Sequence, residues 1–370
     1  MNIRKITSYN ININHLDKLD IAEIIRLGIL KDGIQLITKQ LQLPIYGQVI
    51  PRIELELKTS TKEKKVTVRI NQNSSFMFDW ETIYVSINGD TYNIQAHLCG
   101  DKSNDSVGMY NFWMLRENGV RSFVFDYHTY CCYSCKFCFK ENERENRLIE
   151  GDSYSSDYNK NFETCLRYIE NNVDKFTQNY DIIRLCTGSI LNYEEDLMRN
   201  CTIASKLRNI GYNWDIYLSQ VIPKEIINDQ NLRKEHFIRL KDSGISRFNS
   251  WVEIVNQRLR KSYIKWFKWE ITFSDYINIF NDAIDVFWYQ KVGSCLLVGL
   301  ESKEESLWWL EQLWELWVVP APTVFTPFVI KQLEIPFVLS LDELIDTHIE
   351  FNWIINKYKL PVFSWVFSLA

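Results

Sequence analysis

The sequence predicts an α/β protein: a partial (β/α)6 TIM-type barrel with an N-terminal α+β domain. Two observations predict this class. From about residue 120, β-branched and aromatic runs alternate six times with segments of helical periodicity, the pattern of parallel strands joined by right-handed helical crossovers. Ahead of about residue 115, one helical segment is followed by short alternating apolar–polar runs and a tight hairpin signal. A third observation, a cysteine-rich loop directly after the first barrel strand, places chemistry where barrels of this kind carry it, at the carboxyl ends of strands.

In the N-terminal part, residues 16–30 have helical spacing, with Asp20 as N-cap and Gly33 just past the end. Strands are expected at 53–57, 66–70 and 75–78, then at 84–87 and 90–94 around Asn88-Gly89, a two-residue hairpin pair. This domain, 1–115, carries no chemical motif, and His97 and Cys99 near its end read as packing residues. The polar run 101–106 is the expected linker.

The core barrel is assigned to 116–335, with strands at 123–127, 181–186, 214–221, 246–254, 292–299 and 318–325 and helices at 160–178, 194–209, 228–242, 273–287 and 303–316. A C-terminal part, 336–370, supplies a last helix at 341–358 and a closing strand near 361–366. No internal repeat or low-complexity tract interrupts the chain.

Composition narrows the function. The chain of 370 residues is 46% apolar and 24% charged, a globular balance with enough material for a large core. Its net charge of −5 argues against a general nucleic-acid surface. Nine cysteines, an odd count, with no apolar export segment behind Met1-Asn2-Ile3-Arg4-Lys5 and no long apolar run elsewhere, predict a cytoplasmic protein with reduced thiols and no membrane partner. Neither a phosphate-binding G-x-x-x-x-G-K-[ST] loop nor an H-E-x-x-H zinc helix is present.

Tryptophan is as common as glycine, thirteen of each. Trp288 and Trp317 follow helical patterns and precede strands, the place for a left-handed residue that glycine normally fills. Trp269 occupies a turn. These positions raise the hypothesis of UGA codons written as Trp where the organism reads Gly; ordinary Trp residues in an aromatic-rich chain are the alternative.

The stretch Tyr130-Cys131-Cys132-Tyr133-Ser134-Cys135-Lys136-Phe137-Cys138 carries cysteines at 131, 135 and 138, a C-x₃-C-x₂-C spacing. Three thiolates on one loop can hold three irons of a [4Fe–4S] cube and leave the fourth open. A zinc ion with Cys132 or His128 as fourth ligand is the rival reading, but structural zinc usually pairs two half-sites and no second half-site exists here. The remaining cysteines, 99, 132, 165, 186, 201 and 295, include no further close pair. Cys132 and Cys186 are near the expected site and read first as structural thiols.

Spacing, setting and the aromatic Phe137 before the last cysteine resemble the radical S-adenosylmethionine (radical SAM) enzymes, over roughly residues 120–330. The resemblance implies a [4Fe–4S] cluster on Cys131, Cys135 and Cys138, and S-adenosylmethionine on the open iron. It implies reductive cleavage to a 5′-deoxyadenosyl radical, a small-molecule substrate and an electron donor such as flavodoxin or ferredoxin. It puts Phe137 along the adenine and Thr187, Gly188 and Ser189 at the methionine amino group, although the family's acidic residue is missing there. Ser219 and Glu253, at the ends of the third and fourth strands, fall where the family contacts ribose or carboxylate. Arg260, with Arg258 beside it, is placed to meet the SAM carboxylate. Gly299 matches the glycine of a segment flanking adenine, and 324–328 supply apolar cover. The single cluster and the phrase Leu297-Val298-Gly299-Leu300-Glu301 are most similar to the biotin-synthase-like branch. Two other readings stay open: action on an RNA or peptide docked by the N-terminal domain, and a non-catalytic zinc protein.

Overall fold

The computed structural model describes residues 8–37, 52–58, 63–98, 112–117, 120–125, 127, 131, 133, 135–138, 158–186, 188–190, 192–264, 266–326 and 338–359. The expected linker at 101–106, the closing strand near 361–366, Cys99, Cys132, His128 and Thr187 lie outside them.

The N-terminal part opens with a one-turn helix α1 (Ile13–Leu16) and α2 (Ile21–Asp32). The Asp20 carboxylate accepts from the Ala22 N–H at 2.9 Å, and Gly33 closes α2 at φ 72°, so both expected caps are present. Six strands follow: β1 (Gln35–Leu36), β2 (Arg52–Lys58), β3 (Glu63–Arg69), β4 (Met77–Phe78), β5 (Thr82–Ile87) and β6 (Asp90–Leu98), in sheet order β1-β4-β5-β6-β2-β3. Asn88 and Gly89 turn the β5–β6 hairpin with φ of 53° and 88°, the two positive values a two-residue turn needs.

The second sheet has seven strands in sequence order: β7 (Phe112–Glu117), β8 (Val120–Phe125), β9 (Ile182–Cys186), β10 (Asp215–Ser219), β11 (Arg247–Glu253), β12 (Val292–Val298) and β13 (Val319–Val324). From β8 to β13 every pairing is parallel, which is the six-strand partial barrel the alternation predicts. The helices between them are α3 (Tyr158–Asn171), α4 (Val173–Asn179), α5 (Tyr193–Asn209), α6 (Gln230–Asp242), α7 (Gln257–Tyr263), α8 (Phe273–Phe287) and α9 (Lys303–Glu315), and α10 (Leu341–Tyr358) follows. Reciprocal capping boxes start α8, α9 and α10, through Thr272/Asp275, Ser302/Glu305 and Ser340/Glu343. Among the described residues no helix is long and apolar enough to cross a membrane.

The strands split cleanly by face, as the period of two demands. Phe123, Phe125, Ile183, Leu185, Ile216, Leu218, Phe248 and Leu296 belong to the buried apolar core. The alternate positions are in register across the sheet and mostly polar: Arg184 beside Tyr217, Tyr217 beside Arg247, Ser219 beside Asn249, Cys295 beside Ala321.

Two features bear on the organisation of the chain. The boundary at 115/116 cuts β7, whose pairing with β8 makes it part of the barrel sheet; a short antiparallel edge strand gives no signal in a βαβ pattern. The N-terminal part is also bound into the rest of the chain. Helix α2 packs against α10, and His348 Nε2 lies 3.1 Å from Glu23 Oε1, which also accepts from Arg26. On the outer side His15 reaches Asp342 and Asp346 at 2.8 and 2.9 Å.

The tryptophan geometry follows the sequence in two of three places. Trp288 (φ 77°) and Trp317 (φ 61°) are left-handed, and Trp80 (φ 87°) joins them unanticipated. Trp269 instead ends a 3₁₀ turn, Trp266–Trp269, without positive φ.

Candidate active site

The cysteine loop lies at the carboxyl end of β8, and its apolar surroundings come from across the sheet. Tyr133, Cys135 and Ile264 form a small buried cluster against which Cys131, Phe137, Cys138, Val221 and Phe267 pack. The loop is tied down by the Lys136 N–H donating to Tyr263 O at 2.9 Å and by a tight turn, Cys138 N–H to Cys135 O, 2.8 Å. Phe137 also packs against Ile254, Leu297, Leu300 and Phe325, so it stands at the mouth formed by the ends of β11, β12 and β13, beside the apolar residues expected near an adenine. Gly299, at φ 113°, holds the turn after β12, and a Cβ there would lie 3.5 Å from Phe325; the backbone conformation is what requires glycine.

Across the mouth, β11 ends in a bulge between Trp251 and Glu253, and Glu253 itself takes φ 64°. Bulges re-aim side chains beside active sites, and positive φ at a non-glycine residue costs about 1–3 kcal/mol. The carboxylate so aimed is buried and accepts from the Lys268 Nζ at 2.5 Å. The same ammonium lies 3.9 Å from Cys135 Sγ. Burial pushes the Cys135 thiol well above its usual range, with Lys268 opposing. Burial also works against the Lys268 charge, yet Cys135 when ionised and the Glu253 carboxylate outweigh it and raise the Lys268 pKa.

Lys268 is the site residue that sequence reasoning missed. Its one signal is a lone cation inside Trp266-Phe267-Lys268-Trp269, an aromatic run that would bury it and so demand a counter-charge.

The other sequence candidates separate. Ser219 lies on the polar face of the sheet, its oxygen accepting from Asn249 Nδ2 at 3.0 Å and from Trp251 Nε1. Gly188 and Ser189 are buried just after β9. Arg258 is exposed in the first turn of α7. Arg260 is a correction. Its guanidinium is buried and donates to the carbonyls of Val252 (2.8 Å), Ile254 (2.7 Å) and Lys268 (2.6 Å), so it ties the end of β11 to the Lys268 turn and is not presented to a carboxylate. Cys186 ends β9, while Cys295 is buried 3.2 Å from Thr323 Oγ1 with its thiol pushed by burial up to about 12.

The donor set fits a cluster with one open iron. Three thiols come from one loop, no disulfide is formed among the described cysteines, apolar side chains sheathe them, and a buried ammonium offsets thiolate charge at Cys135. Among the described residues no group of three His, Cys, Asp or Glu side chains is placed to hold a metal ion.

No family model matches the chain, and no curated protein matches it. Solved structures with a similar fold include methylornithine synthase, PylB (13% identity, TM-score 0.42, 62% of this chain and 62% of that one). HydG, a maturase of the [FeFe]-hydrogenase, aligns at 10% identity and TM-score 0.43 over 62% of this chain and 49% of its own. Streptococcus suis SuiB bound to S-adenosylmethionine aligns at 11% and 0.42 over 65% and 48%. The chain thus spans less than two thirds of the length of each.

Proposed function

We propose that this chain is a radical SAM enzyme acting on a small organic substrate. The observation that carries the reading is the position of Cys131, Cys135 and Cys138. They sit on the loop after the first parallel strand of a six-strand partial barrel, and Lys268, held by Glu253 of the fourth strand end, lies 3.9 Å from Cys135 Sγ. When bound, a [4Fe–4S] cluster on those thiolates would supply one electron to S-adenosylmethionine and so generate the radical that takes hydrogen from substrate.

The chain's own residues would do the rest. Cys131, Cys135 and Cys138 hold the cluster. Phe137, with Leu297, Leu300 and Phe325 around it, gives an apolar wall for a base. Gly188 and Ser189, with Thr187, are assigned to the amino group, and Glu253 and Ser219 to the polar half of the cofactor. The polar sheet face running through Arg184, Tyr217, Asn249 and Cys295 is the surface left for substrate. A flavodoxin- or ferredoxin-like donor supplies the electron.

Metal and sulfide analysis after anaerobic reconstitution tests this reading. It predicts about four iron and four sulfide per chain, lost together in Cys135→Ala. One zinc ion per chain without sulfide would overturn it in favour of a zinc-binding protein.

A further inference from the structure

Lys268 is buried to 1% exposure, yet the chain spends two irregular features on it. One is the strained, bulged end of β11 that turns Glu253 inward. The other is the 3₁₀ turn Trp266–Trp269, whose Lys268 carbonyl is fixed by Arg260 at 2.6 Å. Stability alone does not account for this arrangement. A buried ion pair contributes about as much as, or less than, a well-packed apolar pair of equal volume, and left-handed backbone at Glu253 adds a cost of about 1–3 kcal/mol.

The direction of the pair is informative. Its positive end faces the cysteine loop: the ammonium lies 3.9 Å from Cys135 Sγ and 5.9 Å from the Tyr133 ring. A fixed cation beside a cluster ligand favours the electron-rich form of the cluster, and in a site with little water its effect is only weakly screened.

We propose that Lys268 is a positioning charge that sets the electron affinity of the cluster held by Cys131, Cys135 and Cys138, with Glu253 as the counter-charge that holds it in place. The assignment rests on the functional reading above. The electron comes from an external one-electron donor, and Lys268 neither gives nor takes a proton.

The test is a redox titration of the reconstituted full-length chain, read by the cluster's electron paramagnetic resonance signal, in wild type, Glu253→Gln, Lys268→Arg, Lys268→Met and the double variant Lys268→Met/Glu253→Gln. The assignment predicts a fixed order of potentials. Glu253→Gln is highest, since it keeps the cation and removes the anion. Wild type and Lys268→Arg follow, then the double variant, and Lys268→Met is lowest. The expected drop from wild type to Lys268→Met is about tenfold in the reduction equilibrium, or 59 mV for a one-electron couple. The double variant leaves no unpaired buried charge, so it remains measurable if Lys268→Met assembles poorly. Glu253→Gln, Lys268→Met and double variants that assemble and share the wild-type potential, or reverse the order, overturn the assignment alone. A wild-type chain that takes up no iron and sulfide overturns the functional reading and this assignment with it.

Discussion

Gly33 and Trp288 end their helices with closely similar backbone turns. Gly33 stands at φ 72°, ψ −164° and Trp288 at φ 77°, ψ 157°, a region that is all but restricted to glycine. Trp288 recovers little by its side chain, which is 65% exposed and touches the Tyr289 ring at 6.3 Å.

This geometry predicts that Trp288→Gly raises the urea midpoint of unfolding. Relief of about 1–3 kcal/mol of strain outweighs the extra freedom glycine gives the unfolded chain, about 0.5–1 kcal/mol. Trp317→Gly is expected to behave likewise. The corresponding codons are expected to be UGA; UGG at 269, 288 and 317 would sink the recoding hypothesis, and a lowered midpoint in Trp288→Gly would contradict the strain relief.

Arg260 gives a second prediction. It donates to three buried carbonyls and its guanidinium lies 5.4 Å from the centre of the Tyr276 ring. Arg260→Met removes the guanidinium donor from all three carbonyls, leaving Val252 O to the Ile254 N–H at 2.8 Å, and is expected to destabilise the fold by on the order of 3 kcal/mol. Lysine is expected to restore less than half, because an ammonium cannot span the fork. An unchanged melting curve with selective loss of S-adenosylmethionine binding would return Arg260 to the carboxylate role its sequence position suggests.

Glu301 links stability to pH. It is buried and accepts from the N–H groups of Val255 (2.8 Å) and Asn256, and burial raises its carboxyl to about 7. A raised carboxyl means that the folded chain holds a proton the unfolded chain has released. The advantage of the protonated form is therefore full below about pH 4.5 and is lost as pH rises through about 7. Glu301→Gln, neutral throughout, should match wild type below that window and exceed it above, by on the order of 3 kcal/mol. Equal pH–stability slopes for the two proteins between pH 4.5 and 7 would contradict the assignment.

Much of the fold is legible because periodicity reports which face of an element is buried. The alternation in Asp215-Ile216-Tyr217-Leu218-Ser219 puts Ile216 and Leu218 in the core and leaves Ser219 on the polar face, as observed. The positive φ of Trp288 and Trp317 was legible for a related reason: the position after a helix and before a strand demands it whatever residue stands there. What the sequence hides is pairing. Arg260 reads as a cation free to meet a carboxylate until its three carbonyl acceptors are seen, and they come from two separate stretches of chain. Lys268 is invisible for the same reason, since its partners are 15 and 133 residues away. The strand β7 was missed because an antiparallel edge has no place in a strand–helix repeat.

The central claim is that the thiols of Cys131, Cys135 and Cys138 hold a cluster that drives reductive cleavage of S-adenosylmethionine. Anaerobic incubation of the reconstituted chain with S-adenosylmethionine and dithionite, followed by chromatography for 5′-deoxyadenosine, tests it most directly. The account predicts 5′-deoxyadenosine and methionine in equal amounts from wild type and none from Cys135→Ala. Absence of 5′-deoxyadenosine from a wild-type chain carrying its full iron and sulfide would contradict it.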